Sequence, residues 1–191
     1  MTNGARLGRT ALAGGAAAPG VRATALLLPL LAGACVHAGA LEREAAATPG
    51  FDPLAFFAGR THGEGKLHIM LHRAEPVAVQ GVGRLRDDGA LVLDQRVRRG
   101  NRPETTRQWV LRRAAPGRYT GTLSDATGPV TGVVDGNRLT LRFRMKGGLG
   151  ARQWLYLRPD GVTVRNRMVL TKFGLPVASL DETIRAEDPA H

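Results

Sequence analysis

Cysteine, aromatic residues and serine are scarce in this chain of 191 residues. Cys35 is the single cysteine, which excludes an intramolecular disulfide framework and any cysteine-rich zinc or iron–sulfur site. Aromatic residues make up 5% of the sequence, and Ser124 and Ser179 are its only serines, which leaves little room for serine chemistry. Because 25 glycines and 11 prolines interrupt nearly every stretch long enough for a helix, a helical bundle is disfavoured.

A long hydrophobic run is also lacking, since a membrane-spanning helix needs ~20 apolar residues. The shorter run at 23–32 follows Arg6, Arg9 and Arg22 and leads into small residues. This order of basic, apolar and small residues is typical of a cleavable signal peptide. We therefore expect residues 1–34 to be a signal peptide and the protein to be exported.

The cleavage point has two interpretations. Residues 31–35 (LAGAC) resemble the lipobox of bacterial lipoproteins, which predicts that Cys35 carries the lipid and anchors the protein to a membrane from the periplasm. Alternatively, the A-x-A sequence at 38–40 directs ordinary cleavage after Ala40 and gives a soluble secreted protein. In the lipoprotein interpretation, residues 35–50 are the lipidated cysteine and a flexible tether.

Acidic residues are few relative to basic ones, 16 against 27, for a net charge of +11. Nearly all the cations are arginines, and every acid lies after residue 40. A positive field favours anionic partners such as anionic lipid or acidic glycan. A general compositional bias toward Ala, Gly, Arg and Pro explains the same excess without any dedicated partner.

Residues 51–185 show the pattern of one β domain, with residues 186–191 as a tail. Asp52 before Pro53 predicts a capped helical turn, and Asp87-Asp88-Gly89 predicts a hairpin. Residues 139–146 alternate strictly between apolar and polar. Short strands recur about every ten residues with no room for crossover helices, so we predict an all-β antiparallel meander of 8–10 strands that closes into a lipocalin-like barrel.

Several short motifs resemble a known family. They are Phe51-Asp52 with residues 56–59 (FFAG), residues 117–121 (GRYTG) and, most specifically, residues 166–174 (NRMVLTKFG). Over residues 51–185 the chain resembles the bacterial envelope lipoproteins called domain of unknown function 3833. The family pattern carries acids before its later tryptophan, where this chain has Arg152 and Gln153. The resemblance implies a small β domain in the cell envelope and assigns no catalytic residue.

The histidines of the first strand are the only candidate metal ligands. His62, Glu64, His68 and His72 share one face, opposite Leu67, Ile69 and Leu71. Along an extended strand His68 and His72 lie ~13 Å apart, too far to share one ion. We therefore expect a solvated polar face, with no metal, no cofactor and no catalytic residue.

Four polar side chains fall on the apolar faces of predicted strands: Gln95, Arg107, the Trp109 indole and Asn166. Polar groups in an apolar interior must be hydrogen-bonded or hydrated. In a filled barrel these residues pair with one another, whereas in a hollow barrel they orient a ligand.

Arginines recur at every second position of two strands, as Arg142 and Arg144 and as Arg165 and Arg167. They form either a solvated outer face or a contact for anionic lipid headgroups. Trp109, Trp154, Tyr119 and Tyr156 do not alternate with basic residues as single-stranded nucleic acid binding requires, so we expect no nucleic acid partner.

Together these features predict a non-enzymatic, lipid-anchored periplasmic protein. It either binds an apolar or amphipathic small molecule or supports envelope assembly. Two alternatives are an envelope enzyme acting on a lipid-like substrate and a basic adaptor for anionic lipid or glycolipid. The sequence assigns no protein partner.

Overall fold

The computed structural model describes residues 50–187, which form a closed barrel of ten antiparallel strands. Each strand pairs with its neighbour in sequence, and the first strand pairs with the last. The strands are β1 (Gly59–Ile69), β2 (Glu75–Leu85), β3 (Leu91–Arg99), β4 (Thr105–Ala115), β5 (Arg118–Leu123), β6 (Val130–Asp135), β7 (Arg138–Met145), β8 (Leu149–Leu157), β9 (Thr163–Lys172) and β10 (Leu175–Ala186). The prediction of a lipocalin-like antiparallel meander is confirmed. The predicted signal peptide, Cys35 and most of the tether lie outside the described residues.

One end of the barrel is closed by residues 51–58, the plug segment. It contains the short helix α1 (Pro53–Phe56), which begins where the Leu54 amide donates to Asp52 Oδ1 at 3.0 Å. Its aromatic side chains are buried in the main apolar cluster, and the Phe51 amide donates to the Gly136 carbonyl in the β6–β7 turn at 3.0 Å. No helix within residues 50–187 is long and apolar enough to cross a membrane.

The plug segment reaches the barrel wall because β2 carries glycine at the contact. A Cβ at Gly83 would overlap the carbonyl oxygen of Phe57, a backbone atom that cannot rotate away. The absent side chain therefore sets how deeply the plug segment can lie against β2.

Inward-facing side chains form two apolar clusters. The larger contains the plug segment and residues of eight strands, including the fully buried Leu91, Leu139 and Val164. The smaller lies toward the opposite end on β1, β2, β3 and β10, where Leu67 and Leu180 face each other. Met168 packs against both clusters. The polar residues described below lie between these two apolar regions.

The prediction that Leu71 lies on the first strand with Leu67 and Ile69 is wrong. β1 ends at Ile69, and Leu71 lies in the β1–β2 turn with a φ of 66° and 97% of its surface exposed. Phe173, at the β9–β10 turn, has a φ of 52° and is 94% exposed. The left-handed region costs a non-glycine residue ~1–2 kcal/mol. These are the two non-glycine residues with positive φ in the range 50–187.

The Gly83 contact generates a stability prediction. We expect Gly83→Ala to lower the free energy of unfolding by ~1–3 kcal/mol, because the methyl group forces the plug segment away from β2. Urea unfolding followed by tryptophan fluorescence measures the change. Gly128→Ala is the matched control, since nothing lies within 4 Å of a Cβ there. Equal unfolding midpoints for the two variants would show that the close approach does not constrain the plug segment.

Candidate functional site

The interior contains a polar layer, formed by inward side chains of five strands. Its members are Gln95 of β3, Arg107 and Trp109 of β4, Gln153 of β8, Asn166 of β9 and Glu182 of β10. Gln95, Asn166 and Glu182 are buried, at 8%, 4% and 6% exposure. Side chains alternate inward and outward along a strand, and the residues two positions before and after Gln95, Asn166 and Glu182 are buried apolar residues or pack against them, so these three side chains also point inward.

Gln95 organises one half of the polar layer. Its Oε1 accepts from Arg107 Nε at 2.7 Å and from Trp109 Nε1 at 3.0 Å. The Trp109 ring is held by an edge-to-face contact with Phe143, with centroids 5.4 Å apart. Burial lowers the pKa of the Arg107 guanidinium, and the negative charge of Glu182 opposes that shift. The Trp109 indole and the Arg107 Nε thus both have a fixed acceptor.

Asn166 and Glu182 organise the other half. Asn166 Nδ2 donates to Glu182 Oε2 at 2.7 Å, whereas Asn166 Oδ1 has no hydrogen-bond partner among the described residues. Gly63 makes the room, since a Cβ there would overlap the Glu182 carboxylate. Burial raises the pKa of Glu182, opposed by the Asn166 bond and by the charges of Arg107 and His62.

A cavity of about 50 Å³ borders this polar layer. It is lined by Gln95, Arg107, Trp109 and Glu182 on its polar side and by Leu91 and Leu139 among others on its apolar side. Because a water molecule occupies ~30 Å³ of liquid, the cavity has room for a water molecule or two rather than a lipid. The described interior is therefore largely filled by its own side chains.

The structure brings Gln95, Arg107 and Trp109 together and places Asn166 with Glu182. That these residues contact a ligand stays a prediction. Sequence reasoning did not single out Glu182. The signal was present, since Glu182 falls between Leu180 and Ile184 at the inward spacing of β10.

The outer face of β7, β8 and β9 carries the predicted arginines. β8 lies between the other two strands, so Arg142 and Arg144 of β7 flank it on one side and Arg165 and Arg167 of β9 on the other. β8 adds Arg152, Trp154 and Tyr156 to this face. Trp154 pairs with Arg167 and Tyr156 with Arg165. The expectation that these two aromatics stand apart from basic residues is wrong, because the strand neighbours interleave them.

An open groove of about 1010 Å³ crosses this face at the end opposite the plug segment. We call it the outer groove. Its lining includes Arg142, Arg144, Arg152, Trp154, Val169 and Phe173. Gly150 lowers the floor between β7 and β9, where a side chain would approach Thr171 Oγ1 to 2.9 Å.

The three arginines of the outer groove have no carboxylate within 4 Å in the described part of the chain. The Arg152 guanidinium lies over the Trp154 ring at 5.7 Å from its centroid. Farther along the face, Arg167 approaches Asp181 at 3.9 Å. The groove thus combines uncompensated positive charge with an apolar wall of Trp154, Val169 and Phe173.

The candidate metal ligands of β1 do not form a comparable site. His62, Glu64 and His68 lie on the outer face of β1 as expected, and His62 Nε2 lies 3.2 Å from Glu64 Oε1. The placement of His72 on the same strand face is wrong, because β1 ends at Ile69 and His72 lies in the β1–β2 turn. Within residues 50–187 no three metal-ligating side chains come together.

Fold and interior define this protein as a lipocalin-like closed barrel with a plugged end and a polar layer inside. The chain belongs to the family described as protein of unknown function (DUF3833), whose model matches residues 30–186. No curated protein matches it significantly.

Solved structures share the barrel at low sequence identity. The S-type phycobiliprotein lyase CPES from Guillardia theta has a TM-score of 0.58 and 8% identity, covering 72% of this chain and 92% of that one. Rv2717c from M. tuberculosis has a TM-score of 0.55 and 15% identity, covering 72% and 99%. A protein of unknown function of the DUF3598 family from Nostoc punctiforme has a TM-score of 0.53 and 12% identity, covering 72% and 50%. At these identities the likeness concerns the fold alone.

The raised pKa of Glu182 generates a prediction about pH. Burial of this acid favours its protonated form, so the stability it allows is fully present below the ordinary carboxyl pKa of ~4.3 and is lost as pH rises through the raised value. Glu182→Gln imitates the protonated form at every pH. We expect the variant to gain stability over the natural protein from pH 4 to pH 8, measured by urea unfolding at both values.

Glu104→Gln provides the matched control, because Glu104 is exposed in the β3–β4 turn. We expect it to follow the natural protein at both pH values. A constant difference between Glu182→Gln and the natural protein would mean that the pKa of Glu182 is the same in the folded and unfolded chain, which would contradict the raised value.

Proposed function

We propose that this protein binds an anionic amphipathic small molecule, without converting it chemically, in the outer groove. The observation that carries the proposal is the juxtaposition of Arg142, Arg144 and Arg152 with the apolar surface of Trp154 and Phe173. The groove, at about 1010 Å³, has the size of a small-molecule site, for which ~300–1,000 Å³ is usual.

The charge of the groove favours an anionic headgroup. A guanidinium binds phosphate or carboxylate through two parallel N–H bonds, which are stronger than bonds between neutral groups. Because no carboxylate of the described residues pairs with the three arginines, an incoming anion does not have to displace one. The Trp154 face and the adjacent Val169 then provide contact for a chain or ring.

The interior of the barrel serves as a scaffold for the outer groove. Its cavity of about 50 Å³ is far below the size of a lipid site, and Gln95, Arg107 and Trp109 already bond to one another. An interior ligand larger than this cavity would have to displace side chains of the apolar cluster. The outer groove needs no such change.

We also propose that the protein lies in the bacterial cell envelope, anchored by a lipid on Cys35. The arginine-then-apolar order of the N-terminus and the lipobox-like residues 31–35 support this location. The family match begins at residue 30 and therefore includes residues 31–35. An anchored protein would hold the outer groove close to a supply of anionic lipids.

Groove binding is tested by calorimetric titration with lysophosphatidylglycerol and lysophosphatidylcholine, both as monomers. We expect the anionic lipid to bind more tightly and its affinity to fall as salt is added. Arg152→Ala should weaken anionic binding roughly tenfold or more, because a charge-assisted bond contributes ~1.5–3 kcal/mol. Trp154→Ala should weaken the binding of both lipids.

The matched control is Arg118→Ala, which removes an exposed arginine on β5, outside the groove. We expect this variant to bind as the natural protein does. Equal losses in Arg118→Ala and Arg152→Ala would reduce the effect to net charge. Undetectable binding of both lipids by the natural protein would refute the groove as a lipid site.

The anchor is tested by Cys35→Ser in a bacterial host. We expect the natural protein to incorporate labelled fatty acid and to fractionate with membranes, and the variant to lose the label. Ordinary cleavage after Ala40 would instead give an unlabelled soluble protein in both cases, with a mature N-terminus at Leu41 in peptide mass spectra.

A further inference from the structure

Two neighbouring hairpin tips present large apolar side chains to solvent at the end of the barrel opposite the plug segment. Leu71 is 97% exposed and Phe173 is 94% exposed, and Met70 and Leu175 beside them are 58% and 68% exposed. The tips are neighbours because β1 pairs with β10, a contact that continues as the Met70 amide donates to the Val177 carbonyl at 3.0 Å.

Both tip residues have a backbone conformation that favours glycine or asparagine. Phe173 and Gly174 both have positive φ, at 52° and 81°, between the paired residues Lys172 and Leu175. A two-residue turn with positive φ at both positions is the type I′ turn, in which phenylalanine is unusual. Packing does not explain the choice, because each side chain is almost wholly exposed.

Cations surround the two tips. Arg73 follows Leu71 in the same turn, Lys172 lies with its amine 5.8 Å from the centroid of the Phe173 ring, and Lys146 occupies the adjacent β7–β8 turn. In the described chain none of the three has a carboxylate within 4 Å.

The plug end differs in charge, since Asp87, Asp88 and Asp160 lie in its turns and Asp52 lies in the plug segment. Other exposed large apolar residues, Val82, Leu85 and Val133, lie on strands rather than at tips. Within residues 50–187, the turn residues that expose large apolar side chains beside cations therefore lie at one end of the barrel.

We propose that the tips carrying Leu71 and Phe173 insert into an anionic lipid surface. Protruding side chains on separate hairpins can enter the boundary between headgroups and acyl chains, where aromatic rings are favoured. The surrounding lysines and arginine then lie at the level of anionic headgroups, which attract them. A protein partner of ordinary affinity would instead need a continuous face of ~800 Å² on this chain, which two separate tips do not provide.

The test uses an environment-sensitive dye on single cysteines of the full chain. Cys35→Ser removes the natural thiol, and Leu71→Cys, Phe173→Cys or Asp87→Cys introduces the label at either tip or at the plug end. Vesicles of phosphatidylglycerol with phosphatidylcholine are added, and vesicles of phosphatidylcholine alone serve as comparison. We expect blue-shifted, brighter emission at positions 71 and 173 on the anionic vesicles and no change at position 87.

A second measurement needs no label. In sedimentation with anionic vesicles, we expect Leu71→Asp and Phe173→Asp each to weaken partition roughly tenfold or more, the fold-change that corresponds to burying one large apolar side chain. Val133→Asp, on the side of the barrel, is the matched control and should partition as the natural protein does.

Unchanged emission at positions 71 and 173, or an equal change at position 87, would overturn the insertion. An equal response to both kinds of vesicle would overturn its electrostatic part. The groove proposal fails separately, because Leu71 does not line the groove. The dye at position 71 should respond in a Trp154→Ala background even if that variant binds no monomeric lipid.

Discussion

The seam between β1 and β10 is the constraint on which the remaining structure depends. Once these strands pair, every strand has two neighbours, and alternation divides all side chains into an inner and an outer set. The seam also determines what fits inside, because Gly63 and Gly65 leave space next to Glu182, and Gly83 on β2 leaves space for the plug segment. Closure, the polar layer and the plugged end therefore belong to one arrangement.

Filling the interior moves recognition to the outside of the barrel. Hydrogen bonds satisfy Gln95 and Trp109 within the wall, and the remaining cavity is too small for more than a water molecule or two. Arg142, Arg144 and Arg152, which have no carboxylate partner among the described residues, lie on the outer face of β7 and β8, and the sheet behind them fixes their spacing. The packed interior thus supports the sheet whose outer face forms the open basic groove.

Most of the fold could be predicted from the sequence, because it rests on local signals. Asp52 before Pro53 and the glycine of Asp87-Asp88-Gly89 mark a cap and a turn without reference to distant residues. The prediction that Leu71 lies in a strand was wrong because apolar alternation continues past the end of β1 into a turn that contains no glycine, proline or asparagine. The candidate sites were harder to predict, since Trp154 meets Arg167 only through strand pairing, and the burial of Glu182 depends on the absence of a side chain at Gly63 across the seam.

The pairing of β1 with β10 also has a kinetic consequence. Hairpins of neighbouring strands can form as soon as their residues are available, but the seam joins residues such as Gly65 and Glu182 that are far apart in sequence. Such non-local pairing slows folding, typically to the millisecond-to-second range for all-β domains. Until this seam closes, β1 and β10 present unpaired edges, and β1 does not yet cover the carboxyl group of Glu182. The acid that the finished barrel buries is thus among the last groups to be enclosed, and closure removes the last open edge of the sheet.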